Sequence, residues 1–207
     1  SFYGLGFDMI FGLIFLSKKY KNFDVPIKFD REYGYKRGDL MNLGLRFDCS
    51  YKSKSQFLYY PIKKNFFYDY IKQSKKRFLG LFLYLKWDCK NDSAHFNMIV
   101  FDKKNKTVER FEPYTSFKNS YETNVINNFD DLFKKEITKE LGFEYVKPSG
   151  FCPKVGFQRK EEDNINNSVG SVRNEDPGGF CGAWSLYYLN MKLKYPDVST
   201  SKLLEKI

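Results

Sequence analysis

Chemistry is legible first at a cysteine enclosed by glycines. In Asp176-Pro177-Gly178-Gly179-Phe180-Cys181-Gly182-Ala183-Trp184, Cys181 stands where a Gly-rich turn gives way to an apolar helical run. The first turn of a helix carries unpaired N–H groups and the positive end of the helix dipole, and both stabilise a thiolate. Flanking glycines let a substrate backbone come close. Cys181 is therefore a candidate nucleophile, and the other reading is an inert buried thiol at a helix start. A thiol nucleophile needs a base, and the chain has a single histidine, His95, which opens an apolar strand just after the polar turn Lys90-Asn91-Asp92-Ser93. Glu112, in Phe111-Glu112-Pro113, lies at the end of the following strand. With the intervening hairpin centred between residues 103 and 104, register sets His95 opposite Glu112, where a carboxylate can orient an imidazole. A structural cross-strand ion pair is the alternative.

The elements that must position these groups follow from periodicity. Phe78–Trp87 (FLGLFLYLKW), His95–Asp102 (HFNMIVFD) and Thr107–Pro113 (TVERFEP) read as three strands, the last two joined by the polar turn Lys103–Lys106. They predict an antiparallel meander at the centre of a sheet. Ile62–Arg77 predicts a helix with Phe66, Phe67, Tyr70 and Ile71 on one face. Asn119–Leu141 predicts another, with Val125, Phe129, Leu132, Phe133, Ile137 and Leu141 as its apolar stripe and Gly142 as its stop. Phe143–Val146 and Val155–Gln158 are short strand candidates, Glu161–Gly179 is a polar loop, and Cys181–Lys194 reads as a buried helix ended by Pro196. Phe2–Ser55 shows no persistent period and is assigned as an N-terminal recognition or capping region beside a catalytic segment of residues 56–207, together one compact unit. The fold class expected is α+β, a central mixed or antiparallel sheet flanked by helices.

Composition bounds the rest. The 207 residues suffice for one domain with a real core. No internal repeat is present. The 22 Phe and 16 Tyr, alongside abundant Lys and Asn, partly reflect AT-rich codon usage. A net charge of +10 implies affinity for acidic surfaces, nucleic acid among them, or simply a solvated basic surface. The four cysteines, Cys49, Cys89, Cys152 and Cys181, form no CxxC pair. With one histidine, neither a metal site nor a disulfide framework is expected, and a reducing compartment fits. Ile10–Leu16 is apolar but far shorter than the roughly 20 residues of a membrane span. No signal peptide is evident, and Ser1 in place of an initiator Met points to a cut from a longer protein or an expression scar.

Taken together, the motifs resemble the clan CE cysteine peptidases, which include the ubiquitin-like-protein-specific proteases and the adenovirus protease. His95-Phe96 resembles their His-aromatic pair, Phe111-Glu112-Pro113 the segment carrying the acid, and Cys181-Gly182 their Cys-Gly. The wider wording HFNMIVFDKKNKTVERFEPY and GGFCGAWSLYYLNMKLKYP most resembles thiol proteases of large nucleocytoplasmic DNA viruses, over roughly residues 78–196. The resemblance implies a papain-like architecture, a Cys181–His95–Glu112 triad and no cofactor. It implies hydrolysis after Gly-Gly in ubiquitin, a ubiquitin-like modifier or a viral polyprotein. It also implies a Gln that donates to the oxyanion; Gln158, 23 residues before Cys181, takes that role, with Asn174 as the fallback. Here the sequence departs from the cellular members, whose Gln lies only a few residues before the Cys. Phe96, which is either a channel-narrowing aromatic or a core residue, joins Gly179 and Trp184 as the substrate-side set, Trp184 packing beneath the helix. Rival readings are an effector-type acetyltransferase, a basic binding module with the triad idle, and a protease with nucleic acid as cofactor. A monomer without membrane attachment, in host cytoplasm or virion, completes the expectation.

Overall fold

The computed structural model describes residues 6–25, 45–49, 56–59, 64–86, 94–113, 120–152 and 181–205. In chain order these form α1 (Gly6–Lys19), β1 (Phe23–Asp24), β2 (Leu45–Cys49), β3 (Gln56–Tyr59), α2 (Lys64–Gln73), β4 (Phe78–Lys86), β5 (Ala94–Asp102), β6 (Thr107–Phe111), α3 (Ser120–Leu141) and β7 (Glu144–Val146). A 3₁₀ turn (Pro148–Gly150), α4 (Cys181–Lys194) and α5 (Thr200–Leu204) follow. Seven described strands make one mixed sheet in the order β3-β2-β4-β5-β6-β7, with β1 also pairing β4. The expected meander β4-β5-β6 is its antiparallel centre. The α+β class is the one observed.

The β5–β6 register differs from the expectation in a way that matters. Asp102 pairs with Thr107 and Met98 with Phe111, so all four residues Lys103–Lys106 lie in the loop and its centre falls between residues 104 and 105. Asp102 enforces this: its carboxylate accepts from the Lys104 N–H (3.0 Å), the Asn105 N–H (3.3 Å) and the Asn105 amide (2.9 Å), and is clamped by Arg77 Nε and Nη2, each at 3.1 Å. Lys106 completes the loop in the left-handed conformation (φ 55°). Carried one residue past the ladder, this register puts Asn97, not His95, across from Glu112. The offset is two residues, and because strand side chains alternate with period two, His95 and Glu112 still share a face as diagonal neighbours.

Alternation along the central strands builds two cores. Leu79, Leu81, Leu83, Leu85, Ile99, Phe101 and Val108 face α2 and α3. Phe78, Phe82, Met98, Val100 and Phe111 face α1 and α4. In α3, Ile126, Phe129, Phe133 and Ile137 are buried, with Leu132 and Leu141 at the margin, close to the predicted stripe. The side chain of Val125 lies outside the described residues. Gly142 (φ 66°) takes the left-handed conformation that stops the helix. In α2, Tyr68 joins Phe67 and Ile71 in the core. Lys103 caps the C-terminal end of α2, its ammonium donating to Ile71 O (2.8 Å), Lys72 O (3.1 Å) and Ser74 O.

Elements of the Phe2–Ser55 segment contribute to both the sheet and the second core. β1 and β2 run parallel to β4. α1 packs against α4 through glycines: a Cβ on Gly12 would fall 2.5 Å from Leu186 Cδ1, and one on Gly182 would collide with Met9. Val155–Gln158 and the Glu161–Gly179 loop lie outside the described residues.

Phe133 is fully buried, 5.3 Å from Phe129 and 5.2 Å from Tyr145 between ring centroids. Phe133→Ala is expected to destabilise the fold by about 3–5 kcal/mol, read from urea unfolding, and Phe133→Leu by clearly less.

Candidate active site

Glu112 is the first residue beyond β6, and β5 runs on past that point to Ala94 while paired with β4. The β5–β6 ladder therefore stops at Met98–Phe111, and His95 stands at the open end of the sheet. There its Nε2–H donates to Glu112 Oε1 at 2.6 Å, with His95 5% and Glu112 2% exposed. The Cys181 side chain hydrogen-bonds the same imidazole.

Cys181 is the first residue of α4 and is buried. α4 lies on the opposite face of the sheet from α3, and the imidazole joins the two faces at the sheet's end. One turn beyond Cys181, the Ser185 hydroxyl donates to Phe96 O at 3.5 Å, fixing the start of α4 beside the start of β5. Further along, Glu109 of β6 gathers the helix: its carboxylate accepts from Tyr188 (2.7 Å), Lys192 (3.1 Å) and Thr200 (2.8 Å). Phe111 stacks on Tyr188 with ring centroids 4.4 Å apart.

The electrostatics follow from burial against charge. Desolvation acts to lower the His95 pKa, but the Glu112 charge, the Cys181 hydrogen bond and the Glu112 hydrogen bond outweigh it and push it up to about 10. The ring is thus held as an imidazolium between carboxylate and sulfur. A thiol, an imidazole and a carboxylate in one buried hydrogen-bonded line can pass a proton from sulfur to nitrogen and hold the cation that results.

Behind Glu112 lies a polar cluster that the sequence reading missed. Arg110, 2% exposed, forks onto Asp130 of α3 through Nε (3.0 Å) and Nη2 (3.2 Å). Its Nη1 donates to Asn97 Oδ1 (2.5 Å) and lies 3.4 Å from Glu112 Oε2. Tyr145 of β7 accepts from Arg110 Nε (3.0 Å) and donates to Asp130 Oδ1 (2.5 Å). Two signals were available. Arg110 precedes Glu112 by two residues and so shares its face, and Asp130 interrupts the α3 stripe next to Phe129.

Of the substrate-side expectations, Phe96 is half-buried, edge-on to Tyr84 (5.3 Å) and Phe82 (6.1 Å), and packs on the α1/α4 core. Trp184 is half-buried against the same core, edge-on to Tyr187 at 5.9 Å. Gly179, Gln158 and Asn174 lie outside the described residues. Cys152 is partly buried, and desolvation pushes its thiol up to about 12, which keeps it a neutral, poor nucleophile at ordinary pH. Among the described residues no helix is long and apolar enough to cross a membrane.

No family model matches the chain. Among curated proteins it is similar to an ankyrin repeat protein of Acanthamoeba polyphaga mimivirus, with 34% identity over 124 residues. The match takes in 55% of this chain and only 15% of that much longer protein. That relative is a giant-virus protein named for its repeats and not as a thiol protease, which corrects that part of the expected resemblance. Among solved structures the chain is similar to the Chlamydia trachomatis effector ChlaDUB1 (TM-score 0.49, 13% identity, 94% of this chain and 74% of that one). It is similar also to the C. trachomatis effector Cdu1 bound to ubiquitin (TM-score 0.45, 13% identity, 96% and 87%). A third is the SUMO protease Ulp1 with its catalytic cysteine oxidised to a sulfinic acid (TM-score 0.35, 12% identity, 96% and 70%). At these scores the likeness carries none of their chemistry to this chain.

A raised histidine pKa gives stability a pH signature. Between 6.5 and about 10 the folded chain keeps a proton that the unfolded chain releases, so the contribution of His95 is complete below pH 6.5 and is lost as pH rises through about 10. In a Cys181→Ala chain, where no sulfur proton enters the count, stability over the lower part of that window is expected to fall with a slope up to about 1.4 kcal/mol per pH unit steeper than that of the same chain carrying His95→Gln. Urea unfolding of both proteins across the window checks it, and parallel slopes would contradict it.

Proposed function

We propose that this chain is a cysteine protease or isopeptidase that cleaves after Gly-Gly, removing ubiquitin or a ubiquitin-like modifier through a Cys181–His95–Glu112 triad. The observation that carries this reading is the buried line from a thiol at a helix N-terminus, through an imidazole, to a carboxylate 2.6 Å away. A structural cross-strand ion pair would account for His95 and Glu112, but it has no need of a thiol hydrogen-bonded to the same ring. The substrate class rests on the resemblance of His95-Phe96, Phe111-Glu112-Pro113 and Cys181-Gly182 to the clan CE motifs.

In this mechanism the Cys181 proton resides on His95 Nδ1, and the thiolate attacks the carbonyl carbon of the second Gly of Gly-Gly. The oxyanion of the tetrahedral intermediate is stabilised by the Cys181 backbone N–H, one of the unpaired donors of a helix start, together with the side chain of Gln158 or Asn174. The imidazolium then protonates the departing amine as the C–N bond breaks, leaving a thioester on Cys181. His95 next takes a proton from water, whose oxygen attacks the thioester and releases the carboxylic acid. Glu112 holds Nε2–H throughout, so that Nδ1 is the nitrogen that exchanges protons with sulfur, amine and water. Phe96 narrows the channel beside His95, which favours residues without side chains.

Ubiquitin and SUMO carrying a C-terminal electrophile, incubated with wild type and with Cys181→Ala and read by intact mass, test the reading. An adduct on wild type alone is expected, and the modifier that reacts identifies the substrate. Selective labelling of Cys181 by a small thiol reagent without either adduct would shift the assignment to polyprotein processing or acetyl transfer. Absence of selective labelling would remove the protease assignment and leave a basic binding module. On a cleavable modifier, Glu112→Gln is expected to lower kcat by about 100-fold or more with KM little changed.

A further inference from the structure

Glu112 has two carboxylate oxygens, and the triad uses one. Oε1 accepts from His95, while Oε2 faces Arg110 Nη1 at 3.4 Å. At that distance the second contact is a weak hydrogen bond, so its strength is not what fixes the carboxylate. What stands out is how firmly the guanidinium itself is held. Asp130 takes its fork at 3.0 and 3.2 Å, Asn97 Oδ1 takes Nη1 at 2.5 Å, and the Tyr145 hydroxyl closes the ring between Arg110 and Asp130. Every member is buried: Arg110 2%, Asp130 4%, Asn97 0% and Tyr145 6% exposed. A planar guanidinium fixed at this many points is a rigid positive wall rather than a mobile partner.

The consequence for Glu112 is geometric. A terminal carboxylate torsion is broad and roughly two-fold, so a Glu bonded only to His95 would be free to turn about its last bond. With a fixed cation behind the second oxygen, the carboxylate plane is held so that one oxygen points at Nε2 while the other faces the guanidinium. Resting on the triad reading above, we propose that Arg110, locked by Asp130, Asn97 and Tyr145, is a positioning residue that holds Glu112 in the orientation in which it binds His95. The charges then alternate along the line Asp130, Arg110, Glu112, His95, and α3 is tied to the triad through Asp130.

A buried ion pair that merely docks α3 on the sheet is the competing role, and the test must separate the two. Removing Arg110 alone would leave the buried Asp130 carboxylate with the Tyr145 hydroxyl but without its cation, a defect large enough to unfold the chain. The informative variant is therefore Arg110→Gln with Asp130→Asn, which keeps the shapes and removes both charges. Tyr145→Phe is the milder companion. The readout is the rate at which iodoacetamide alkylates Cys181 as a function of pH, followed by intact mass beside wild type, Cys181→Ala and Glu112→Gln, with near-UV circular dichroism to report packing. Alkylation reads the Cys181–His95–Glu112 line directly and needs no knowledge of the substrate.

Wild type is expected to react faster at mildly acidic pH than the unfolded chain does. In the double variant the profile is expected to move toward higher pH, as in Glu112→Gln, with the rate near pH 6 falling by about tenfold, the equivalent of one pH unit. Tyr145→Phe is expected to move it the same way by less. A folded double variant with the wild-type profile overturns the positioning role and leaves the triad standing. If the double variant does not fold, Tyr145→Phe decides: a shifted profile supports the proposal and an unshifted one overturns it. A wild-type protein that alkylates only as an ordinary thiol overturns both the proposal and the protease reading beneath it.

Discussion

A carboxylate buried to 2% of its surface is the demand on which the rest of this structure depends. An anion taken out of water and left alone would cost several kcal/mol or be forced to take up a proton. Glu112 escapes this by lying between two cations, His95 on one oxygen and Arg110 on the other. Arg110 is itself a buried charge and needs Asp130, and Asp130 is on α3. The obligation thus passes from the end of β6 through the sheet to a helix, which must dock closely enough for a bidentate fork. Phe129 and Phe133, within a turn of Asp130 on that helix, supply the apolar burial that brings it there.

β6 discharges a second obligation with its neighbouring residue. Adjacent strand side chains point to opposite faces, so Arg110 looks toward α3 and Glu109 toward α4. Glu109 collects Tyr188, Lys192 and Thr200, which fixes how α4 lies and therefore where its first residue, Cys181, arrives. Two consecutive residues of one short strand set the positions of the acid and of the thiol, on opposite sides of the sheet. His95, at the end of the neighbouring strand, is where the two sides can meet.

Much of this was readable in advance, and the parts that were not have physical reasons. The central strands, α3 and α4 carry long unambiguous patterns: nine-residue apolar runs, a stripe with a glycine stop, a Gly-rich entry to a helix. The register was misplaced by two residues because it is set by the turn, where the Asp102 side chain organises the loop from one position before it. The partnership of His95 with Glu112 survived that misplacement because an even offset preserves the face. Arg110, Asn97, Asp130 and Tyr145 went unread because polar residues in half-buried strands and helices read as solvent-facing, and nothing in one sequence says that residues 97, 110, 130 and 145 converge. The N-terminal elements were illegible for a different reason. β1 and β2 are short and parallel to β4, so they depend on a distant strand and have little local pattern of their own, and α1 reads as an apolar run whose partner is some 170 residues away.

That distant partnership bears on where the functional unit begins. The motifs that mark the chemistry span roughly residues 78–196, and a fragment trimmed to them would look complete by its sequence. It would nevertheless lack the surface on which α4 rests, because Gly12 and Gly182 are the places where α1 and α4 come too close for a side chain. Met9 lies against the residue directly after Cys181, so α1 forms the floor beneath the helix that begins there. Truncation from the N-terminal side would remove that floor, leaving the underside of α4 as an apolar scar and loosening the helix that begins at Cys181.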